Sequence, residues 1–190
     1  MSQLCTTLTA IHLTMYRELA DLNFETLGKQ APEALQAQLV TAVVLALGSN
    51  YQAKTYLPIV RERLAVLGEI QLSTAFQNPD FTATLELPKP DYTNQCVYLS
   101  LKSPTTLQQL QQTLKQFECD CHRQRLTERP MPIKQVTMDI DVLLVNLKVN
   151  KNSLSNYQVF KWTVMADRYP FKAHEKTGIE ELIANGFLND

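Results

Sequence analysis

Hydrophobic residues in this chain follow two rhythms, one helical and one of period two, and the switches between them outline the elements. Ile11, Met15, Leu19 and Leu22 recur at near-helical spacing, and Pro32 opens a second short segment, so residues 1–38 are expected to be helical. Val43 to Leu47 reads as a buried strand closed by Gly48-Ser49-Asn50. Tyr56, Val60, Leu64 and Leu67 mark one face of a helix over 53–67, with Pro58 near its first turn and Gly68 as its stop. Ile70 to Phe76 is expected to be a strand, Asn78 to Pro90 a long loop, and Asn94 to Lys102 another strand. Ser103-Pro104 has the form of a helix start, and Leu107, Leu110, Leu114 and Phe117 are the buried stripe of a helix ending near Cys121. A polar loop, 123–134, leads into a strand through Met138–Leu144; beyond Asn146 the pattern weakens until a short helix near Ile179.

The order β-α-β-β-α-β predicts an α+β fold of the ferredoxin-like kind, an antiparallel sheet with both helices on one face. Its other side, or the rim, would be free for a ligand. A helical extension over 1–42 and a main domain over 43–190 complete the expected organisation.

One strand carries the chemistry. Asp139 and Asp141 stand two positions apart in an otherwise apolar run, so both should point to one face with Ile140 and Val142 buried on the other. Adjacent carboxylates beside a core need compensation. One source is a divalent cation with phosphate oxygens. The other is pairing with the basic loop just upstream, where Arg123, Arg125, Arg129 and Lys134 cluster. Both readings are open at this point.

Composition narrows the field. The chain has 190 residues, 45% of them apolar, and a net charge of −1, which argues against broad nucleic-acid binding or a polybasic membrane surface. Five glycines are too few and too scattered for a glycine-rich phosphate loop. No apolar run is long enough to span a bilayer, and no secretory signal is apparent, so a cytoplasmic protein with reduced thiols is expected. Cys119, Cys121 and His122 lack zinc-knuckle spacing and read as a helix end. His12 reads as structural or exposed, and Trp162 as core.

Leu45-Ala46-Leu47-Gly48-Ser49-Asn50, then Pro90-Asp91-Tyr92-Thr93-Asn94, then Asp139-Ile140-Asp141-Val142-Leu143-Leu144 resemble the 6-hydroxymethyl-7,8-dihydropterin pyrophosphokinase family over about residues 43–146. The resemblance implies transfer of a pyrophosphoryl group from ATP to the pterin hydroxymethyl, with release of AMP, as a step of folate biosynthesis. It implies two Mg²⁺ ions on Asp139 and Asp141, and catalytic roles for these with Arg123 and Arg125. Asn94, Tyr92, Asn78, Pro79 and Gly48 would bind the pterin; Glu118, Arg123, Arg125, Arg129, Lys134 and Arg168 would bind ATP. Phe171 and His174 are the nearest matches to a later aromatic and histidine. His122 stands where the family has glycine, Ile133 where it has tryptophan, and Val136 where it has a phosphate-binding arginine. A homologue that binds pterin or a partner without phosphoryl transfer is the alternative, and a ferredoxin-like interaction module is a third reading. The N-terminal helices could serve a homo-oligomer contact.

Each of these residues also has a plainer reading. Gly48 could permit a positive φ, Ser49 and Asn50 could cap the next helix, Asn94 could satisfy a strand edge, Tyr92 could simply pack, and Glu118 could be solvated.

Overall fold

A computed structural model of the chain describes residue 19 and residues 22–80, 82–124, 135–148 and 162–187. In order they form β1 (Gly28–Gln30), α1 (Pro32–Leu35), β2 (Leu39–Ser49), α2 (Ala53–Leu67), β3 (Gly68–Leu72), β4 (Phe76–Asn78), β5 (Tyr92–Thr106), α3 (Leu107–Asp120), β6 (Asp139–Leu147), β7 (Trp162–Met165) and α4 (Ala173–Phe187). The seven strands make one mixed sheet in the order β1-β7-β6-β2-β5-β3, with β4 also paired to β5. Within it, β6, β2, β5 and β3 run antiparallel to their neighbours, while β1 lies parallel to β7. The α+β class expected from the apolar patterning is observed.

One face is built as the sequence pattern dictates. Leu57, Val60 and Leu64 of α2 and Leu107, Leu110 and Leu114 of α3 pack on Val43, Leu45, Leu47, Val97 and Leu99 of the two central strands. Burying each such side chain contributes roughly 1.5–3 kcal/mol. The opposite face is not left open, as the sequence suggested. Ile179 and Leu182 of α4, with Leu19, Leu22 and Leu27, cover Ala42, Val44, Cys96, Tyr98, Trp162 and Val164. A helix that begins earlier than the short one expected near Ile179 supplies this cover, seated closely because Gly178 has no side chain: a Cβ there would lie 2.6 Å from Cys96 Sγ.

Other departures have local causes. Within the segment expected to be helical, Gly28–Gln30 is a strand because β7 offers it a partner; most of residues 1–21 lies outside the described residues. The expected strand over 70–76 divides into β3 and β4. The Ser103-Pro104 signal is overridden: β5 runs on to Thr106, paired to Leu39, and Thr106 and Gln109 form the capping box of α3. Pro104 falls opposite the irregularity between Val40 and Ala42, where a missing N–H costs no ladder bond. Gly68 has extended backbone, so its role is steric: a Cβ would sit 1.9 Å from the Ser100 carbonyl oxygen.

Strand β6 contains one further device. Val142 pairs with Leu45 and Leu144 with Val44, leaving Leu143 as an extra residue. Val142 and Val145 face the α2/α3 side, and Leu143 and Leu144 both face the other. A β-bulge of this kind changes the phase of a strand midway.

Candidate active site

Asp139 and Asp141 open β6, and Ile140 and Val142 between and after them are buried in the α2/α3 core. Alternation therefore puts both carboxylates on the face covered by α4, as the period of two predicts. Asp139 pairs with Gly48, which pairs with Asn94, which pairs with Phe76; Asp141 pairs with Ala46, which pairs with Cys96. Gly48 thus stands between the first aspartate and Asn94. Its backbone is not left-handed, so the reason expected from sequence gives way to a steric one: a Cβ would come within 3.2 Å of Asn94 Oδ1.

Next to Asn94, Tyr92 pairs with Asn78. The Asn78 Nδ2 group is buried without a hydrogen-bond partner, an unspent donor of the kind a ligand acceptor satisfies. Tyr92 is half-buried, and desolvation, with Asp80 and Asp139 adding to it against Arg123, raises its hydroxyl pKa. Pro79 follows, exposed. An amide, an orphaned donor and an aromatic ring at one end of the sheet suit a flat heterocycle with a mixed donor–acceptor edge.

Positive charge approaches from two sides. At the end of α3, His122 takes the left-handed conformation (φ 60°), the position where glycine is favoured after a helix. The turn returns the Arg123 N–H to the Glu118 carbonyl and sets Arg123 Nη2 3.9 Å from Asp139 Oδ1. From the other side, Arg168 Nη2 lies 2.9 Å from Asp141 Oδ2 and 3.6 Å from Glu175 Oε1. The Nε groups of Arg123 and Arg168 are buried without hydrogen-bond partners. Burial raises the Asp141 pKa, with Asp139 in the same sense and Arg168 and Lys115 opposing.

A cavity of about 640 Å³ adjoins Asp141. It lies between α3 (Gln108, Gln111, Lys115) and Met165–Arg168. Its origin is topological: β7 meets β6 only at Leu144–Asn146, so among the described residues no strand covers the outer edge of β6 beside the acids. The volume is within the range of small-molecule sites. Phe171 and His174 do not line it; burial lowers the pKa of His174. Arg125, Arg129, Ile133 and Lys134 lie outside the described residues.

Several residues hold this arrangement in place. Ser49 and Asn50 do not cap α2, whose N-cap residue is Gln52, with no side-chain cap bond. Instead the Ser49 hydroxyl donates to the Val136 carbonyl, and Asn50 Oδ1 accepts the Val136 N–H at 2.7 Å. This clamp ties the approach to β6 onto the end of β2. Val136 itself is 3% exposed, so this position turns inward. Glu118 is 1% exposed; its carboxylate accepts the Ile140 N–H at 2.8 Å and the Lys115 ammonium at 3.0 Å. It thereby grips the backbone between the two aspartates.

Lys115, Gln111, Glu175 and the Asn50–Val136 clamp were not singled out from sequence. The polar stripe Gln108, Gln111, Lys115, Cys119 at helical spacing beside the apolar one was the available signal for the first two. Glu175 left none.

Two carboxylates on one face, with no larger group of His, Cys, Asp or Glu around a common point among the described residues, fit a hard divalent cation that takes its other ligands from water and phosphate. Arginines with unspent donors fit the phosphate oxygens. No helix among the described residues is long and apolar enough to cross a membrane. A comparison with curated proteins gave no match. The family model described as 7,8-dihydro-6-hydroxymethylpterin-pyrophosphokinase (HPPK) matches residues 44–167, so the chain belongs to that family.

Proposed function

We propose that this protein transfers the pyrophosphoryl group of ATP to the hydroxymethyl group of 6-hydroxymethyl-7,8-dihydropterin, releasing AMP. The observation that carries this reading is the pair Asp139 and Asp141 on one sheet face, flanked by Arg123 and Arg168, with Asp141 and Arg168 lining a nucleotide-sized cavity. In it, β6, β2, β5 and β3 with α2 and α3 are the ferredoxin-like core, and the acids sit at its rim.

The roles follow from chemistry. A pterin hydroxyl must approach the β-phosphorus of a highly anionic chain, so catalysis is chiefly positioning and charge compensation. Asp139 and Asp141 would hold two Mg²⁺ ions, which supply charge neutralisation of the triphosphate when bound. Arg123, Lys115 and Arg168 orient phosphate oxygens, Arg168 exchanging its contact with Asp141 for one with the nucleotide. Gln111 lines the cavity and spends its amide only on a long contact of 4.0 Å to Met165 Sδ, so it is available to the nucleotide. Asn94, Tyr92 and Asn78 receive the pterin, Gly48 leaves the Asn94 amide room, and Pro79 borders the same end. Glu118 acts through the strand, by holding the Ile140 amide.

A second reading, a homologue that binds pterin without transfer, is favoured by the inward-turned Val136, which brings no guanidinium to the site. Measuring AMP release with ATP, Mg²⁺ and the hydroxymethylpterin separates the two. Pterin-dependent AMP formation supports transfer; pterin binding by calorimetry without AMP supports the second reading; neither sinks both.

A further inference from the structure

We propose that the N-terminal segment Phe24–Gln30 is a positioning element for Arg168. Arg168 ends a three-residue 3₁₀ turn, Ala166–Arg168, and residues 169–172 after it have no regular structure. So short a turn does not hold itself. Its far side is fixed by Glu175, 3% exposed, whose Oε2 accepts the Lys172 N–H at 2.8 Å while Oε1 faces Arg168 at 3.6 Å.

The near side is fixed by residues far away in sequence. Strand β1 pairs with β7 up to Gln30 opposite Met165, the residue just before the turn. Lys29 Nζ sits 3.8 Å from the centroid of the Tyr169 ring, the residue just after Arg168. Phe171 meets Tyr169 edge-on at 5.7 Å and Phe24 at 6.0 Å. Leu27 is buried with Trp162 and Val164 in the same cluster. The segment therefore grips the chain immediately before and immediately after Arg168, and the guanidinium is delivered to Asp141 from between those grips. Both partners, 24–30 and 168–175, lie outside the range 44–167 matched by the family.

The test uses the full chain with Lys29→Ala, Lys29→Arg and Phe24→Ala, each alone and combined with Arg168→Gln. Two quantities are read: calorimetric affinity for the Mg²⁺ complex of α,β-methylene-ATP, and amide hydrogen exchange over 166–172. The affinity arm rests on the ATP reading above; the exchange arm does not. Lys29→Ala is expected to weaken nucleotide binding about threefold, Lys29→Arg to restore it, and the loss to disappear when Arg168 is already Gln. Exchange over 166–172 should rise in Lys29→Ala and Phe24→Ala while 139–147 stays protected. The same loss in the Arg168→Gln background, or unchanged exchange over 166–172, overturns the proposal. If the unmodified protein binds no nucleotide, the ATP reading falls and exchange alone decides: a local rise supports the brace and none refutes it. Lys29 is a surface residue, so its variants fold even if Phe24→Ala does not.

Discussion

The two faces of the sheet are built from different materials. Under α2 and α3 the packing is almost wholly aliphatic, Val43, Leu45, Leu47 and Leu99 against Leu57, Leu64, Leu107 and Leu114. Under α4 it is mixed: Ala42, Cys96, Tyr98 and Trp162 stand among Val44, Leu143, Leu144 and Val164, with Tyr98 and Trp162 rings 6.2 Å apart. The first face is closed except at the cavity beside Ile140 and Val142. The second stops short, and the residues just past the end of its cover are the aspartates, Gly48 and Asn94. The contrast teaches where polar chemistry can be placed. Charges are tolerated where apolar cover ends, because partial solvation and arginine partners share the cost of ionisation.

The sharpest way to break this contrast is to remove the acids. Asp139→Ala or Asp141→Ala should lower AMP release by about a thousandfold or more with the thermal midpoint nearly unchanged. Activity near that of the unmodified protein in both variants would remove the pair from the mechanism.

Next come the faces themselves, which should fail in opposite ways. On the aliphatic face, Leu64→Ala leaves a cavity and should cost about 2–5 kcal/mol in urea unfolding. On the other face it is addition that hurts. Gly178→Ala drives a methyl group into Cys96 and should cost about 1–3 kcal/mol, with partial relief from Cys96→Ala. A neutral Gly178→Ala would mean that α4 is not seated as closely as described.

A smaller effect concerns pH. Burial raises the Asp141 pKa, so the folded chain binds this proton more readily than the unfolded chain. That contribution to stability is complete below the unfolded value, near 3.9, and fades as pH rises through the higher folded value. Relative to Asp141→Asn, the metal-free protein should therefore gain stability as pH falls from 7 towards about 4. Parallel denaturation curves for the two proteins across that range would contradict the cause assigned.

The smallest effect is chemical. Cys96, beneath α4, has its thiol pushed up to about 12 by burial, with Glu175 and Glu181 adding to it. Cys119 is exposed at the cavity. Mass spectrometry after brief alkylation near neutral pH should find Cys119 modified and Cys96 intact; labelling of Cys96 in the folded protein would show that its cover opens.

Legibility in the sequence followed the same division. The aliphatic face was readable because its signals are local: Val43–Leu47 as a run, and Tyr56–Leu67 and Leu107–Phe117 as helical stripes, with Leu57 in place of Tyr56 as the buried residue of the first turn. Asp139 and Asp141 were readable because a period of two is unambiguous in a strand. The second face was not, since its cover is assembled from Leu22, Trp162 and Ile179, whose meeting depends on the tertiary fold. Strand β1 has three residues and no pattern of its own; it exists because β7 has an edge to fill. Thr106, not Ser103, starts α3 because cross-strand pairing with Leu39 outweighs a local cap signal. Arg168 could be named as a candidate, but its partner Glu175 could not, because nothing local couples them.

The supernumerary Leu143 makes β6 two strands spliced out of step. Without it, Val142, Leu144 and Val145 would alternate in plain step and Asp139 and Asp141 would keep their face, so the extra leucine is not what aims the acids. What it adds is a second leucine under α4, and a frame-preserving codon loss at that point would thin this cover while leaving the acidic tip in register.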